Sequence, residues 1–182
     1  GTTIGTFTGL DYDNPETLTY TLIDGGEGSD ETHFTLTTAG VLKNDSVFNH
    51  EVKSSYVITV RVTDLGGLFH QNDFTITILD VNEAPTAIAL SNNSVAENST
   101  TGTTVGTFST TDVDDGDTFT YSLVTGTGDS GNDNFYIDGN RLKTNAVFDR
   151  ESTSSYSIRV RTTDSGNLTF TTTFTINVTD VN

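Results

Sequence analysis

The stretch Tyr56-Val-Ile-Thr-Val-Arg-Val62 decides the fold. Tyr56, Ile58, Val60 and Val62 alternate with Val57, Thr59 and Arg61. A period of two with apolar residues on one side marks a half-buried β-strand. Tyr156, Ile158 and Val160 repeat the pattern against Ser157, Arg159 and Arg161. Phe74-Thr-Ile-Thr-Ile78 alternates in the same way, as do Phe174-Thr-Ile-Asn-Val178, Leu18-Thr-Tyr-Thr-Leu22 and Phe119-Thr-Tyr-Ser-Leu123. Threonine and aromatic residues suit such a surface. No window of any length carries helical spacing. Short strands punctuated by Gly, Asn and Asp imply an all-β sandwich.

The strands belong to a sequence written twice. Gly1-Thr-Thr-Ile-Gly-Thr-Phe7 recurs as Gly102-Thr-Thr-Val-Gly-Thr-Phe108, and Val47-Phe-Asn-His-Glu51 as Val147-Phe-Asp-Arg-Glu151. Ile78-Leu-Asp-Val-Asn82 recurs as Val178-Thr-Asp-Val-Asn182. The offset falls from 101 (102 − 1) to 100 (147 − 47), so one residue is lost between. Two tandem domains are expected, 1–82 and 83–182, each of ordinary domain size. The second should be complete, with strands near 87–95, 103–109, 118–124, 134–138, 141–143, 154–163 and 169–179. The segment Thr86-Ala-Ile-Ala-Leu-Ser-Asn-Asn-Ser-Val-Ala-Glu-Asn98 has no counterpart in the first copy. That copy is therefore expected to lack its N-terminal strand and to expose a sheet edge. Gly1 falls inside a repeat, so the chain reads as an excerpt.

Charge narrows the function. The chain has 25 acidic and 8 basic residues, a net charge of −17. Nucleic-acid phosphates need cations, and so do anionic membrane surfaces, so neither partner is expected. There is no Cys, hence no disulfide to staple a small secreted domain. No apolar run approaches a membrane span, so no membrane insertion is expected. No secretory signal is visible.

What recurs best is acidic: Asp11/Asp112, Asp13/Asp114, Glu51/Glu151, Asp64/Asp164 and Asp80/Asp180. Side chains repeated in register do a job that each unit needs. Oxygen-only ligand sets suit Ca²⁺, whereas Zn²⁺ wants His or Cys, and neither is repeated here. His33, His50 and His70 face Asn134, Arg150 and Phe170 in the second copy and read as solvated side chains. Asp112-Val-Asp-Asp-Gly-Asp117 opens like an EF-hand loop, but its twelfth position is Leu123 rather than Glu. Gly25-Gly-Glu-Gly-Ser-Asp30 resembles one turn of a glycine-rich calcium roll; without tandem copies it reads as a surface loop.

These residues together resemble the cadherin repeat. Val95-Ala-Glu97 looks like that family's first-strand Glu, and Asp11-Tyr-Asp13 and Asp112-Val-Asp114 like its Asp-x-Asp loop. Phe148-Asp-Arg-Glu151 carries its Asp-Arg-Glu motif, Asp64 and Asp164 match its later single Asp, and Asp80-Val-Asn-Glu-Ala-Pro85 resembles its linker. The resemblance implies a seven-stranded Greek-key sandwich in each repeat, with Ca²⁺ at the inter-domain junction. The implied junction ligands are Asn49, Glu51, Asp80, Asn82, Glu83, Asp112, Asp114 and Asp164 by side chain, and Val81 and Ala84 by main chain. Asp11, Asp13 and Asp64 would face a preceding repeat, and Glu97, Asp149, Glu151 and Asp180 a following one. Two departures matter: Asn49 stands where the family has Asp, and the linker is one residue short, with Glu83 in place of an Asp. Without a first-strand Glu in the first copy, two of the junction ions should be weakly held. The site fed by Asn82, Asp112, Asp114 and Asp164 is complete.

The expected function is structural. Calcium would stiffen a stalk of repeats in a large extracellular protein, with neighbouring repeats of the same chain as partners and the chain itself monomeric. The Thr-, Gly- and Asp-rich composition and Asp80-Val-Asn-Glu-Ala-Pro85 resemble cadherin-like repeats of bacterial surface adhesins. The alternative is a module that binds a glycan or a protein, including another copy of itself. No catalytic constellation stands out, so no enzyme is expected.

Overall fold

The computed structural model describes residues 1–11, 17–25 and 29–182. It divides into two compact units, Gly1–Val81 and Asn82–Asn182. The described residues are all-β apart from two single-turn 3₁₀ segments, Glu31–His33 and Asn132–Asn134.

Unit 1 contains β1 (Thr3–Thr6), β2 (Thr19–Ile23), β3 (Phe34–Leu36), β4 (Val41–Asn44), β5 (Ser55–Thr63) and β6 (Phe69–Thr77). They form two three-stranded sheets, ordered β1-β4-β3 and β2-β5-β6. Unit 2 contains β7 (Ala87–Leu90), β8 (Ser94–Ala96), β9 (Thr104–Thr111), β10 (Thr120–Leu123), β11 (Phe135–Asp138), β12 (Arg141–Thr144), β13 (Ser155–Thr163) and β14 (Thr169–Thr179). Its two four-stranded sheets are ordered β10-β13-β14-β8 and β11-β12-β9-β7. Each unit is a Greek-key β-sandwich.

The alternation that identified the strands also builds the cores. In β13, Ile158 and Val160 are fully buried, and on the facing sheet so is Leu142. Ile176 and Val178 of β14 join them, with Phe108, Phe135 and Phe148 filling the layer between the sheets. Unit 1 uses the equivalent residues Tyr56, Ile58, Val60, Phe34 and Leu42.

One expected strand is two. The run 87–95 breaks at Ser91–Asn93: β7 pairs antiparallel with β9, whereas β8 crosses to the other sheet and pairs parallel with β14. Alternation gives the faces of a run but not the sheet it joins. The crossing is held by Asn92, whose Nδ2 donates to the Ser94 and Val105 carbonyls at 2.7 and 2.6 Å. Among the described residues, nothing in unit 1 occupies the equivalent place. There β1 is a sheet edge, and a cavity of about 340 Å³ opens among Phe7, Leu10, Tyr20, Val60, His70 and Phe74.

Candidate metal centres

The acids stand at the ends of the strands, where turns gather them. At the start of unit 2, Asp112 and Asp114 lie just beyond β9, and Asp164 just beyond β13. Asp164 is buried, and its Oδ1 accepts the Leu168 amide at 2.7 Å across the β13–β14 turn. Its Oδ2 accepts Asn82 Nδ2 at 3.1 Å. Asp114 Oδ2 accepts the Glu83 amide at 2.9 Å, and Asp112 Oδ1 accepts that of Val113 at 2.7 Å. The other oxygens are not satisfied. Asp112 Oδ2, Asp114 Oδ1 and Asp117 Oδ2 are buried and have no hydrogen-bond partner. Asp112, Asp114 and Asp117 bring ligand oxygens within 4.8 Å of one another. A buried acceptor without a donor is costly, and three carboxylates so close repel.

At the far end of unit 2, β8 delivers Glu97 to a second cluster. Glu97 is buried, and its oxygens accept the backbone amides of Val181 (2.9 Å) and Arg150 (3.0 Å). These hydrogen bonds hold its carboxyl below the usual range. Glu97, Glu151 and Asp180 bring carboxylate oxygens within 4.8 Å. The Glu151 amide pulls its own carboxyl down, but the charge of Glu97, loss of water and the charge of Asp180 together push it up. Arg150 Nη1 stands 4.0 Å from Asp180 Oδ2. Asp149 is occupied otherwise: its Oδ1 caps a turn by accepting the amides of Glu151 and Ser152.

The equivalent end of unit 1 has a different composition. Asn49 Oδ1 caps the same turn through the Val52 amide at 2.9 Å. Glu51 and Asp80 come together as Glu151 and Asp180 do, but among the described residues of unit 1 no carboxylate stands in the place of Glu97. His50 completes the group, its Nδ1 lying 3.3 Å from Asp80 Oδ1 and 3.5 Å from Glu51 Oε1. At the start of unit 1, Asp11 and Asp64 border one shallow cavity with Leu18, Val62 and Phe69. Asp64 Oδ1 accepts the Leu68 amide at 2.8 Å, as Asp164 does that of Leu168. Asp13 lies outside the described residues. Val81 and Ala84 are exposed within a connection that forms no strand.

Two members of these clusters were missed by sequence reasoning. Asp117 was weighed only within an EF-hand register, yet it lies beside Asp112 and Asp114. His50 was read as solvated. Its position inside the repeated Phe-x-x-Glu motif, next to a repeated acid, was the available signal.

Residues 91–179 match the family model of the cadherin domain. Human protocadherin Fat 4 is 32% identical over 169 residues, covering 90% of this chain and 3% of that protein. The chain therefore spans only a small part of that relative's length. Among solved structures, protocadherin gamma B7 extracellular cadherin domains 1–4 superpose with a TM-score of 0.73 at 27% identity, covering 98% of this chain and 45% of that one. Chicken VE-cadherin EC1-2 gives 0.64 at 28% identity, covering 98% and 91%. The relatives named are adhesion proteins of animals, and they lend no support to a bacterial origin.

Proposed function

Because this chain is built of cadherin domain repeats, which are extracellular, we propose that it is a calcium-stiffened segment of a larger adhesion protein. The carrying observation is the set of buried, partnerless oxygens on Asp112, Asp114 and Asp117. Carboxylates left in that state call for a cation. The donors are all oxygen, which suits Ca²⁺ with its 6–8 oxygen ligands. Asp112, Asp114, Asp117, Asp164 and Asn82 would hold it in unit 2, with Glu83 beside Asp114. Glu97, Glu151 and Asp180 form the corresponding set at the other end of unit 2. Asp11 and Asp64, with Asp13, form the set at the start of unit 1.

Bound calcium supplies the charge that lets these acids sit together. Without it they repel, and the aligned chain loses free energy. Affinities of about 10⁻⁴–10⁻³ M, usual for extracellular modules, would be saturated outside the cell and empty within it. Small-angle scattering in millimolar calcium and in EDTA tests this. A particle that is longer and stiffer in calcium supports the reading, and an unchanged profile refutes it.

Self-association is a second reading. Leu10, Leu65, Leu68 and Phe69 are exposed on unit 1 at 80%, 74%, 76% and 58%. Arg61 lies 4.2 Å over the Phe69 ring. Such a patch suits a protein contact better than water. One solved relative, protocadherin gamma B7 EC3-6, is described as a cis-dimer. A mass that rises with concentration in sedimentation would favour this reading over a monomer.

A further inference from the structure

We propose that His50, Glu51 and Asp80 form a mixed nitrogen–oxygen site for a zinc-class divalent cation. Zn²⁺ bound by imidazole at about 2.0–2.1 Å and carboxylate at about 2.0–2.2 Å sets tetrahedral ligand separations near 3.4 Å. His50 Nδ1 stands 3.3 Å from Asp80 Oδ1 and 3.5 Å from Glu51 Oε1. All three residues bring ligand atoms within 4.8 Å of one another. Three protein ligands leave a fourth position for water or an incoming group. The side chains of His50, Glu51 and Asp80 are 33%, 23% and 54% exposed, so an ion can enter without rearrangement of the core.

The second copy shows what is particular to this site. Arg150 holds the position of His50 there. A guanidinium is a fixed cation without a lone pair; it can neutralise carboxylates but cannot ligate. That end of unit 2 also has Glu97, making an all-oxygen set. Unit 1 has an imidazole in place of the arginine and no carboxylate in place of Glu97. Both differences move the ligand set away from Ca²⁺, which takes oxygen, and toward metals that favour imidazole. Among the described residues no other histidine brings a ring nitrogen to ligand distance of two carboxylates: His33 Nδ1 lies 3.1 Å from Ser46 Oγ, and His70 lines a cavity with Asp11 and Asp64 without joining them in such a group. The inference uses only the geometry of unit 1, so it stands whether or not the oxygen sets take calcium.

The test is a Zn²⁺ titration of the untagged chain in calcium-free buffer. Calorimetry would read affinity, and ¹⁵N spectra of the imidazoles would read which nitrogen is bound. The expected result is a shift of His50 Nδ1 with the His33 and His70 rings unmoved. His50→Arg and His50→Gln should each weaken Zn²⁺ by more than about tenfold, since loss of an outer-shell partner of a ligand alone costs about 10–100-fold. Unchanged far-ultraviolet dichroism would show both variants folded. Equal Zn²⁺ affinity in the variants, or a shift confined to His33 or His70, would overturn the assignment. Failure of the calcium-dependent stiffening would leave the Zn²⁺ result untouched, so the two ideas fail separately.

Discussion

Replacing Asp114 by Asn should stabilise unit 2 without calcium and lose that advantage with calcium. Asn keeps an oxygen for the Glu83 amide, which Asp114 Oδ2 accepts at 2.9 Å, and removes one charge. That charge repels two others, Asp112 and Asp117, whose ligand oxygens lie within 4.8 Å. At that distance a pair costs about 1 kcal/mol in water and about 3 kcal/mol at an effective dielectric near 20. The three side chains are half-buried, so relief of about 2 kcal/mol is expected in EDTA. For a domain of this size that raises the midpoint by about 10 °C. In about 10 mM calcium the native chain gains about 2 kcal/mol from an ion of Kd near 10⁻³·⁵ M, and losing a ligand removes most of it. Calorimetric scans of both chains would show the variant's midpoint about 10 °C higher in EDTA and the two midpoints close together in calcium. If Asp114→Asn lowers the midpoint equally in both buffers, the carboxylates are not repelling one another and the cation reading of this cluster is wrong.

Three further substitutions test the folds themselves. Asp30 is buried, its carboxylate accepting the Val57 amide at 2.8 Å and pairing with Lys53. Burial pushes its carboxyl up, but Lys53 and the Val57 amide outweigh that and hold it below 3.8. A depressed carboxyl gives stability that is present above the unfolded value and lost as pH falls through the folded one. Asp30→Asn should therefore cost unit 1 about 2 kcal/mol at neutral pH and flatten its loss of stability below pH 4, read by denaturant titration across pH. Gly106→Ala should cost unit 2 about 1–3 kcal/mol, because the added Cβ would lie 2.5 Å from the Asn92 carbonyl oxygen. The equivalent Gly5→Ala should be neutral or slightly stabilising, since nothing lies within 4 Å of its Cβ position. Equal effects at the two glycines in thermal scans would mean that the β7–β8 crossing is not tightly packed on β9.

Strand faces were legible because period-two patterning is set by burial, and burial is what a sandwich demands. β13 and β14 fall almost where alternation places them. The repeated acids were legible because repetition in register isolates what both copies need. The sheet crossing between β7 and β8 was not, since it depends on Asn92 reaching the Val105 carbonyl, a contact across 13 residues. Nor could spacing separate ligand candidates from turn formers. Asp149 and Asn49 sit beside Glu151 and Glu51 in sequence, yet both spend an oxygen on capping a turn. Asp117 required the turn geometry beyond β9, which brings a third carboxylate back to the first two.

Near-identical patterns nevertheless give unequal cores, and the β7–β8 segment accounts for the difference. Val105 is 4% exposed, while its counterpart Ile4 is 43% exposed. Phe148 is fully buried, while Phe48 is half-buried; Ile176 and Val178 differ from Ile76 and Ile78 in the same way. All of these lie where β7 covers β9 or β8 extends β14. In unit 2, Ile88 and Val95 close the sandwich and Glu97 satisfies the Arg150 and Val181 amides. β14 runs on to Thr179 because β8 pairs with it, whereas β6 stops at Thr77. Gly5 is retained in the sequence with open space around it, at the position where Gly106 must admit Asn92. Among the described residues of unit 1 no strand covers β1 as β7 covers β9, and a cavity of about 340 Å³ opens beside Phe7 and Leu10. Each partly buried apolar side chain on that side contributes less than its twin, and these partial burials lower the stability of the unit 1 core relative to that of unit 2.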